Sequence, residues 1–251
     1  MSERILAAPD EPALLYEFDD EEPPQTRPLA QGDVLRDVVT IGGATLPLAM
    51  IMAHPCSMRS GSKLRKQLAV AEVVPLAEVP PEKWPTTHFD WFPLLGLREV
   101  DTSVAVSFHR LHTVESAQFE TLERVTVLSE YGQMVLLQRW INHMVRLVAE
   151  QQEITELIRP VQHELSLQQD WADLALEGAT FSDDAARNTR TRELADEFQA
   201  FLGHPADEAS LRNQLRRTEA AQVDAIKRVR VEMKRRHAAP PAPSGASAGG
   251  A

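Results

Sequence analysis

Residues 38–52 read VVTIGGATLPLAMIM. The β-branched run at 38–41 is followed by Gly42 and Gly43, which are a turn signal, and residues 46–52 form an unbroken apolar run of strand length. The preceding glycines and the shortness of this run favour a buried strand over a helix. The stretch therefore predicts two strands separated by a turn.

Further short strand patterns lie on both sides of this stretch. They alternate polar and apolar residues or are rich in β-branched and aromatic residues. Together with the stretch above, and with 34–35 and 38–41 counted as one strand, they make six strands with no long helix between them, which predict an antiparallel barrel or a tightly curled sheet. The additional strand patterns cover residues 34–35, 68–74, 87–97, 103–108 and 123–128.

Beyond Ser129 the apolar residues recur at helical spacing. Ser129 is a plausible helix start, and we expect Pro160 to end that helix near Ile158. A second helix is expected over 161–176, with Gly178 just past its end. A third is expected after Ser182 and is followed by Gly203, and a fourth over about 206–237.

The fourth helix carries a narrow apolar stripe, typical of a helix that packs on one partner only. The stripe consists of Leu211, Leu215, Thr218, Ala221, Ala225, Val229 and Met233, flanked by Ile226.

Together these patterns predict an α+β protein, in which a small N-terminal antiparallel β-barrel precedes an all-helical extension that ends in a long basic helix. The expected parts are an acidic mobile arm at 1–28, the barrel at 29–128, a helical region at 129–203, the basic amphipathic helix at 204–237 and a disordered tail at 238–251.

The chain has 251 residues, of which 43% are hydrophobic, and this composition is typical of a globular protein. Its single cysteine, Cys56, excludes an internal disulfide and suggests a reducing compartment. The longest apolar run is too short to span a bilayer and contains Pro47, and the N-terminus lacks the pattern of a signal peptide. We therefore expect a soluble cytoplasmic protein with no membrane partner.

The formal net charge of −11 is unevenly distributed. Residues 1–22 contain eight acidic residues against one arginine, a charge of −7. Residues 211–237 contain nine basic residues against three acidic ones, a charge of +6. A basic segment on an acidic protein can attract phosphate, or it can pair with the acidic arm of its own chain.

The stretch HPCSMRSGSKLR at 54–65 follows the predicted buried strand and is rich in hydroxyl and basic groups. It contains neither a phosphate-binding Gly-Lys-Ser/Thr motif nor the arginine spacing of a cysteine phosphatase. A cysteine–histidine nucleophilic pair and an inert surface loop both remain open. The catalytic candidates are His54, Cys56, Arg59, His109 and His112.

The same histidines and cysteine are an imperfect version of zinc-ligand spacing, namely His-x-Cys at 54–56 and His-x-x-His at 109–112. Such pairs arise by chance in a protein with eight histidines. We therefore expect no metal and no cofactor.

One resemblance covers about residues 29–128. The segment Gln31-Gly32-Asp33-Val34 resembles the Gly-Asp-Val start of toxins of the PemK/MazF type and their uncharacterised bacterial relatives. Residues 50–58 occupy the place of an Ile/Val-x-Ser-x-x-Cys-Asp-Leu strand end in those relatives, and 70–76 match the strand that follows. The resemblance implies a small, strongly bent antiparallel barrel. In the toxins, this barrel cleaves single-stranded RNA with an arginine in a Gly-x-x-Arg-Pro-like segment, and this chain has no such segment.

We expect a non-catalytic binding module of a bacterial stress-response or phage-defence type system. Its helical half would engage nucleic acid, a protein partner or a second copy of the chain. The alternative is a toxin-like endoribonuclease that acts on single-stranded RNA at the 54–65 loop. The bases expected to contact phosphate are Arg216, Arg217, Lys227, Arg228, Arg230, Lys234, Arg235 and Arg236.

Overall fold

The computed structural model describes residues 6–9, 11–18, 22–60, 63–76, 83–97, 100, 102–146, 148–206 and 209–237. It confirms an α+β protein in which an antiparallel sheet is followed by helices. The predicted disordered tail at 238–251 lies outside the described residues. Within them, no helix is both long and apolar enough to cross a membrane.

The main sheet has six strands in the order β6-β7-β5-β2-β1-β8, and every neighbouring pair is antiparallel. Two further pairs, β3–β4 and β9–β10, each form a small two-stranded sheet. The strands are β1 Val34–Val39, β2 Thr45–Ile51, β3 Arg59–Ser60, β4 Lys63–Leu64, β5 Gln67–Pro75, β6 Trp91–Leu94, β7 Val104–Glu115, β8 Arg124–Thr126, β9 Pro205–Ala206 and β10 Ala209–Ser210.

The predicted strand at 46–52 is confirmed as β2, which pairs with β1 across the turn at Gly42-Gly43. Gly43 has a φ of +82°, a left-handed conformation that glycine adopts without steric cost. Ala49, Met50 and Ile51 are fully buried, because β2 lies inside the sheet with apolar clusters on both faces.

Strand β7 is longer than the predicted strand at 103–108, because the alternation is interrupted where the strand bends. The step from Ala71 to Val73 on β5 is matched by a step from Leu111 to Val106 on β7, so β7 bulges there. His109 and His112 therefore lie inside β7 and not at its end.

The helices are α1 Pro55–Met58, α2 Glu130–Val145, α3 Gln151–Leu176, α4 Asp184–Gly203, α5 Leu211–Leu215 and α6 Glu219–His237. Ser129 caps α2 as predicted, since its side chain accepts a hydrogen bond from the Gly132 N–H. At α4 the cap is Asp183 and not Ser182.

Pro160 does not end a helix, so that prediction was wrong. It lies inside α3, while α2 already ends at Arg146 in a left-handed conformation. A proline inside a helix costs about 3 kcal/mol. Burial of Ile158 before the proline and of Trp171 after it keeps the helix continuous.

The expected single helix over 204–237 is also wrong. A turn at 216–218 separates α5 from α6, and this turn lets both helices face one core. The stripe positions Leu211, Leu215, Ala225, Val229 and Met233 are buried in an apolar cluster with Trp171 and Phe198, whereas Thr218 is exposed.

The described part of the N-terminal arm packs against the folded chain, contrary to the expected mobility. Leu15, in the short 3₁₀ helix Pro12–Leu15, is fully buried. Its carbonyl accepts a hydrogen bond from the Ser129 N–H, and the Tyr16 hydroxyl donates to the Leu95 carbonyl at 2.9 Å. Gly132 of α2 lies directly against the Leu15 backbone.

This packing predicts that Gly132→Ala destabilises the protein, whereas the same change within a helix usually stabilises. Glycine to alanine within a helix usually stabilises by up to about 1 kcal/mol. Here the added methyl group would clash with the Leu15 carbonyl oxygen, so we expect a loss of about 1–3 kcal/mol in the free energy of unfolding. Urea denaturation measures it. Gly203→Ala is the matched control, because the described atoms leave that methyl group open space. Stabilisation by Gly132→Ala would contradict the docked arm.

Candidate functional site

In the 54–65 loop, which follows β2, backbone hydrogen bonds connect the described residues 54–60 and 63–65. The N–H groups of Ser57 and Met58 donate to the His54 carbonyl, and the Arg65 N–H donates to the Met58 carbonyl at 2.7 Å. The Met58 side chain is fully buried in the apolar cluster beneath the loop. The Cys56 backbone belongs to α1, but its side chain lies outside the described residues.

Arg59, a catalytic candidate, is tied into the fold. Its Nη2 donates to the Leu29 carbonyl at 2.9 Å. Burial lowers the pKa of the Arg59 guanidinium to about 10, although the carboxylate of Asp33 opposes this shift. The Arg59 guanidinium therefore binds the segment that precedes β1 and is not an exposed side chain of the loop.

Asp33 is the buried centre of this region. Its Oδ2 accepts the Ala30 N–H at 3.1 Å and lies 3.5 Å from Nε of Arg124. Burial raises the pKa of the Asp33 carboxyl, while Arg124 opposes the rise. The preceding Gly32 has a φ of +93°, and a side chain there would collide with Leu128. The Gly-Asp pair of the resemblance therefore has a structural role in this chain.

A third arginine, Arg27, extends this network towards the N-terminal arm. Arg27 is 1% exposed and contacts both carboxylate oxygens of Glu17, at 2.8 and 2.5 Å. The Arg27 carbonyl accepts a hydrogen bond from Nη2 of Arg124 at 2.9 Å. Arg27 thus connects the N-terminal arm to Arg124 of β8, and Arg124 in turn contacts Asp33 just before β1.

The loop meets the start of the basic segment, although the two are far apart in the sequence. Burial lowers the pKa of His54, and the positive charge of Arg216 lowers it further. Glu164 of α3 is 3.3 Å from Nε of Arg212 and also acts electrostatically on Arg59. Glu164 therefore lies between the loop and α5.

Both segments carry exposed basic residues. We call the following five residues the cationic surface, and within the described part of the chain no carboxylate forms an ion pair with any of them. They are Lys63, Arg65, Lys66, Arg216 and Arg217.

The predicted phosphate-contacting residues on α6 differ in their exposure and in whether they already pair with a carboxylate. Arg235 and Arg236 both bind Glu232, and these hydrogen bonds lower the pKa of the Glu232 carboxyl to about 2. Arg236 also lies over the Trp171 ring, at 5.2 Å from its centroid. Arg228 is half-buried, whereas Lys227, Arg230 and Lys234 are exposed.

The two candidate histidines of β7 have separate partners. His112 Nε2 is 3.8 Å from a carboxylate oxygen of Glu72. His109 instead joins Asp90 and His143, and we call these three residues the histidine cluster. Among the described residues, the cluster is the group that brings three metal-ligating side chains together.

The histidine cluster combines contacts from β7, from the turn before β6 and from α2. His143 Nδ1 is 2.9 Å from Asp90 Oδ1, and His109 Nε2 is 3.5 Å from Asp90 Oδ2. Slight burial would raise the pKa of Asp90, but the hydrogen bonds to His143 and His109 outweigh it and lower that pKa. Asp90 and His143 are not among the candidate residues predicted from the sequence, because they meet only through packing of α2 on the sheet.

No protein-family model matches the chain, and no curated protein matches it significantly.

The electrostatic contact between loop and α5 can be tested by the titration of His54. In Arg216→Gln, loss of the neighbouring positive charge should raise the pKa of His54 towards its ordinary value. NMR titration measures this, with His54→Gln to assign the resonance. Arg230→Gln is the control, because Arg230 acts on His163 and Asp170 instead. An unchanged His54 pKa in Arg216→Gln would contradict the arrangement.

Proposed function

We propose that this protein is a non-catalytic binding module for nucleic acid and that the cationic surface is its contact with the phosphate backbone. The observation that supports the proposal is that Arg216, in the α5–α6 turn, lies near enough to His54 of the 54–65 loop for its positive charge to lower the pKa of His54. In this proposal, two basic segments more than a hundred residues apart contribute to one surface.

The charge distribution supports a polyanionic ligand. The chain as a whole carries −11, so a nucleic acid is repelled by most of the molecule. The five bases of the cationic surface are exposed, and the described carboxylates do not neutralise them. Contacts of this kind position a phosphate backbone and release its counterions without reading the base sequence.

The curvature of the sheet supports the relation to small barrels of the PemK/MazF type. Beyond the end of β1, Thr40 forms a β-bridge with Val114 of β7, and the Ile41 N–H donates to the Thr113 carbonyl at 3.0 Å. The first and last members of β1-β2-β5-β7 thus touch. We propose that these four strands close a small barrel, with the cationic surface at the end where β2 leaves it.

The environment of Arg59 favours binding over ribonuclease activity. Its guanidinium is engaged with the Leu29 carbonyl and the Asp33 region, where it stabilises the fold. If the 54–65 loop does cleave RNA, the binding experiment will reveal it as fragments of the probe.

The test is an electrophoretic mobility shift with labelled single-stranded RNA and duplex DNA over a salt series. We expect a salt-sensitive shift without fragments. Changing Lys63, Arg65, Arg216 and Arg217 to glutamine should weaken binding and lower the slope of log affinity against log salt by about 0.7–0.9 for each lost phosphate contact.

A matched variant changes one lysine and three arginines elsewhere on the surface to glutamine. These exposed residues are Lys83, Arg110, Arg187 and Arg192. It loses the same formal charge at other places on the surface, where Arg110 and Arg192 pair with Glu72 and Glu120. Equal loss in both variants would contradict the assigned surface, and an unshifted wild-type probe would leave a protein partner or a second copy. Fragments would indicate the endoribonuclease.

A further inference from the structure

We propose that Asp90, His109 and His143 bind a divalent transition-metal ion. This site is independent of the cationic surface. The three residues offer two imidazole nitrogens and a carboxylate oxygen, all within 4.8 Å of one another. This donor set of two histidines and one carboxylate suits Zn²⁺, Fe²⁺ or Co²⁺ and is unlike the all-oxygen sets preferred by Mg²⁺ and Ca²⁺.

The two distances from Asp90 to the histidines need only a small adjustment to accept an ion, and the two histidine nitrogens lie within 4.8 Å of each other. Metal bonds of roughly 2.0–2.2 Å to nitrogen and oxygen place neighbouring ligand atoms a little over 3 Å apart. The Asp90–His143 contact is 2.9 Å and the Asp90–His109 contact is 3.5 Å. The side chain of His109 is 63% exposed, so it is the ligand with room to turn.

Rigid elements hold the other two ligands. The Phe108 N–H donates to the Asp90 carbonyl at 3.0 Å, which anchors Asp90 beside β7. The His143 ring stacks on Trp140, with centroids 5.7 Å apart, and packs against Phe108 at 5.4 Å. Packing of this kind fixes the orientation of a ligand before the metal arrives, which lowers the cost of binding.

Solvent access would leave the ion open on one side. The side chains of His143, Asp90 and His109 are 12%, 39% and 63% exposed, so the site lies at the surface end of α2. Three protein ligands with an open side are typical of metal sites that also bind water or another small ligand. Arg146 Nη2 lies 3.9 Å from Asp90 Oδ1, and this arginine must yield the carboxylate to the ion.

The experiment titrates the full chain, freed of any histidine tag, with Co²⁺ followed by visible absorption and with Zn²⁺ followed by calorimetry. We expect one ion per chain and a Co²⁺ spectrum with nitrogen ligation. His109→Ala and Asp90→Asn should each weaken binding by about tenfold or more, because each removes a ligand or its charge.

His112→Ala is the matched control, because His112 lies on the same strand and contacts Glu72 outside the cluster. It should bind as the wild type does. Circular dichroism checks that the variants fold. Because the His109 side chain is exposed, His109→Ala should disturb the fold least. An absence of wild-type binding, or binding unchanged by both His109→Ala and Asp90→Asn, would overturn the metal site and leave the cluster as a hydrogen-bonded structural contact.

Discussion

The buried guanidinium of Arg139 fixes the first long helix, α2, to the segment that leads into β6. It is fully buried and donates to the carbonyl oxygens of Trp84, Thr87, His88 and Trp91 at 2.7–3.0 Å. Burial lowers its pKa to about 10, so the group stays charged at neutral pH. Charged hydrogen bonds of this kind compensate its desolvation, and they bind the segment before β6 to helix α2.

The histidine cluster depends on the same contact. His143 lies one helical turn after Arg139, so the two side chains share a face of α2. Once the guanidinium fixes the 84–91 segment, Asp90 is brought to within 2.9 Å of His143. Elsewhere, Glu164 of α3 pairs with Arg212 of α5, and the charge of Glu164 also acts on Arg59 of the 54–65 loop.

Local patterns predicted much of this fold. The apolar run of β2, the Ser129 cap and Gly203 at the end of α4 are short-range features, and the structure contains all three. Pro160 misled the prediction because burial on both sides of the proline outweighs its local cost. The split of the basic helix escaped prediction because the core around Trp171 requires it, and no breaker residue marks it.

The sites divide in the same way. The basic residues and the 54–65 loop can be recognised from the sequence alone. The proximity of Arg216 to His54 depends on the tertiary fold and could not be predicted. Asp90 and His143 are 53 residues apart and carry no joint motif, so only the packing of α2 brings them together.

The most direct test of the account is hydrogen exchange, read by mass spectrometry, with and without a bound single-stranded RNA or duplex DNA. If the loop and the α5–α6 turn form one phosphate-binding surface, peptides covering 54–66 and 211–218 should be protected together, while α4 stays unchanged. Protection confined to one of these segments, or to α6 alone, would contradict the account.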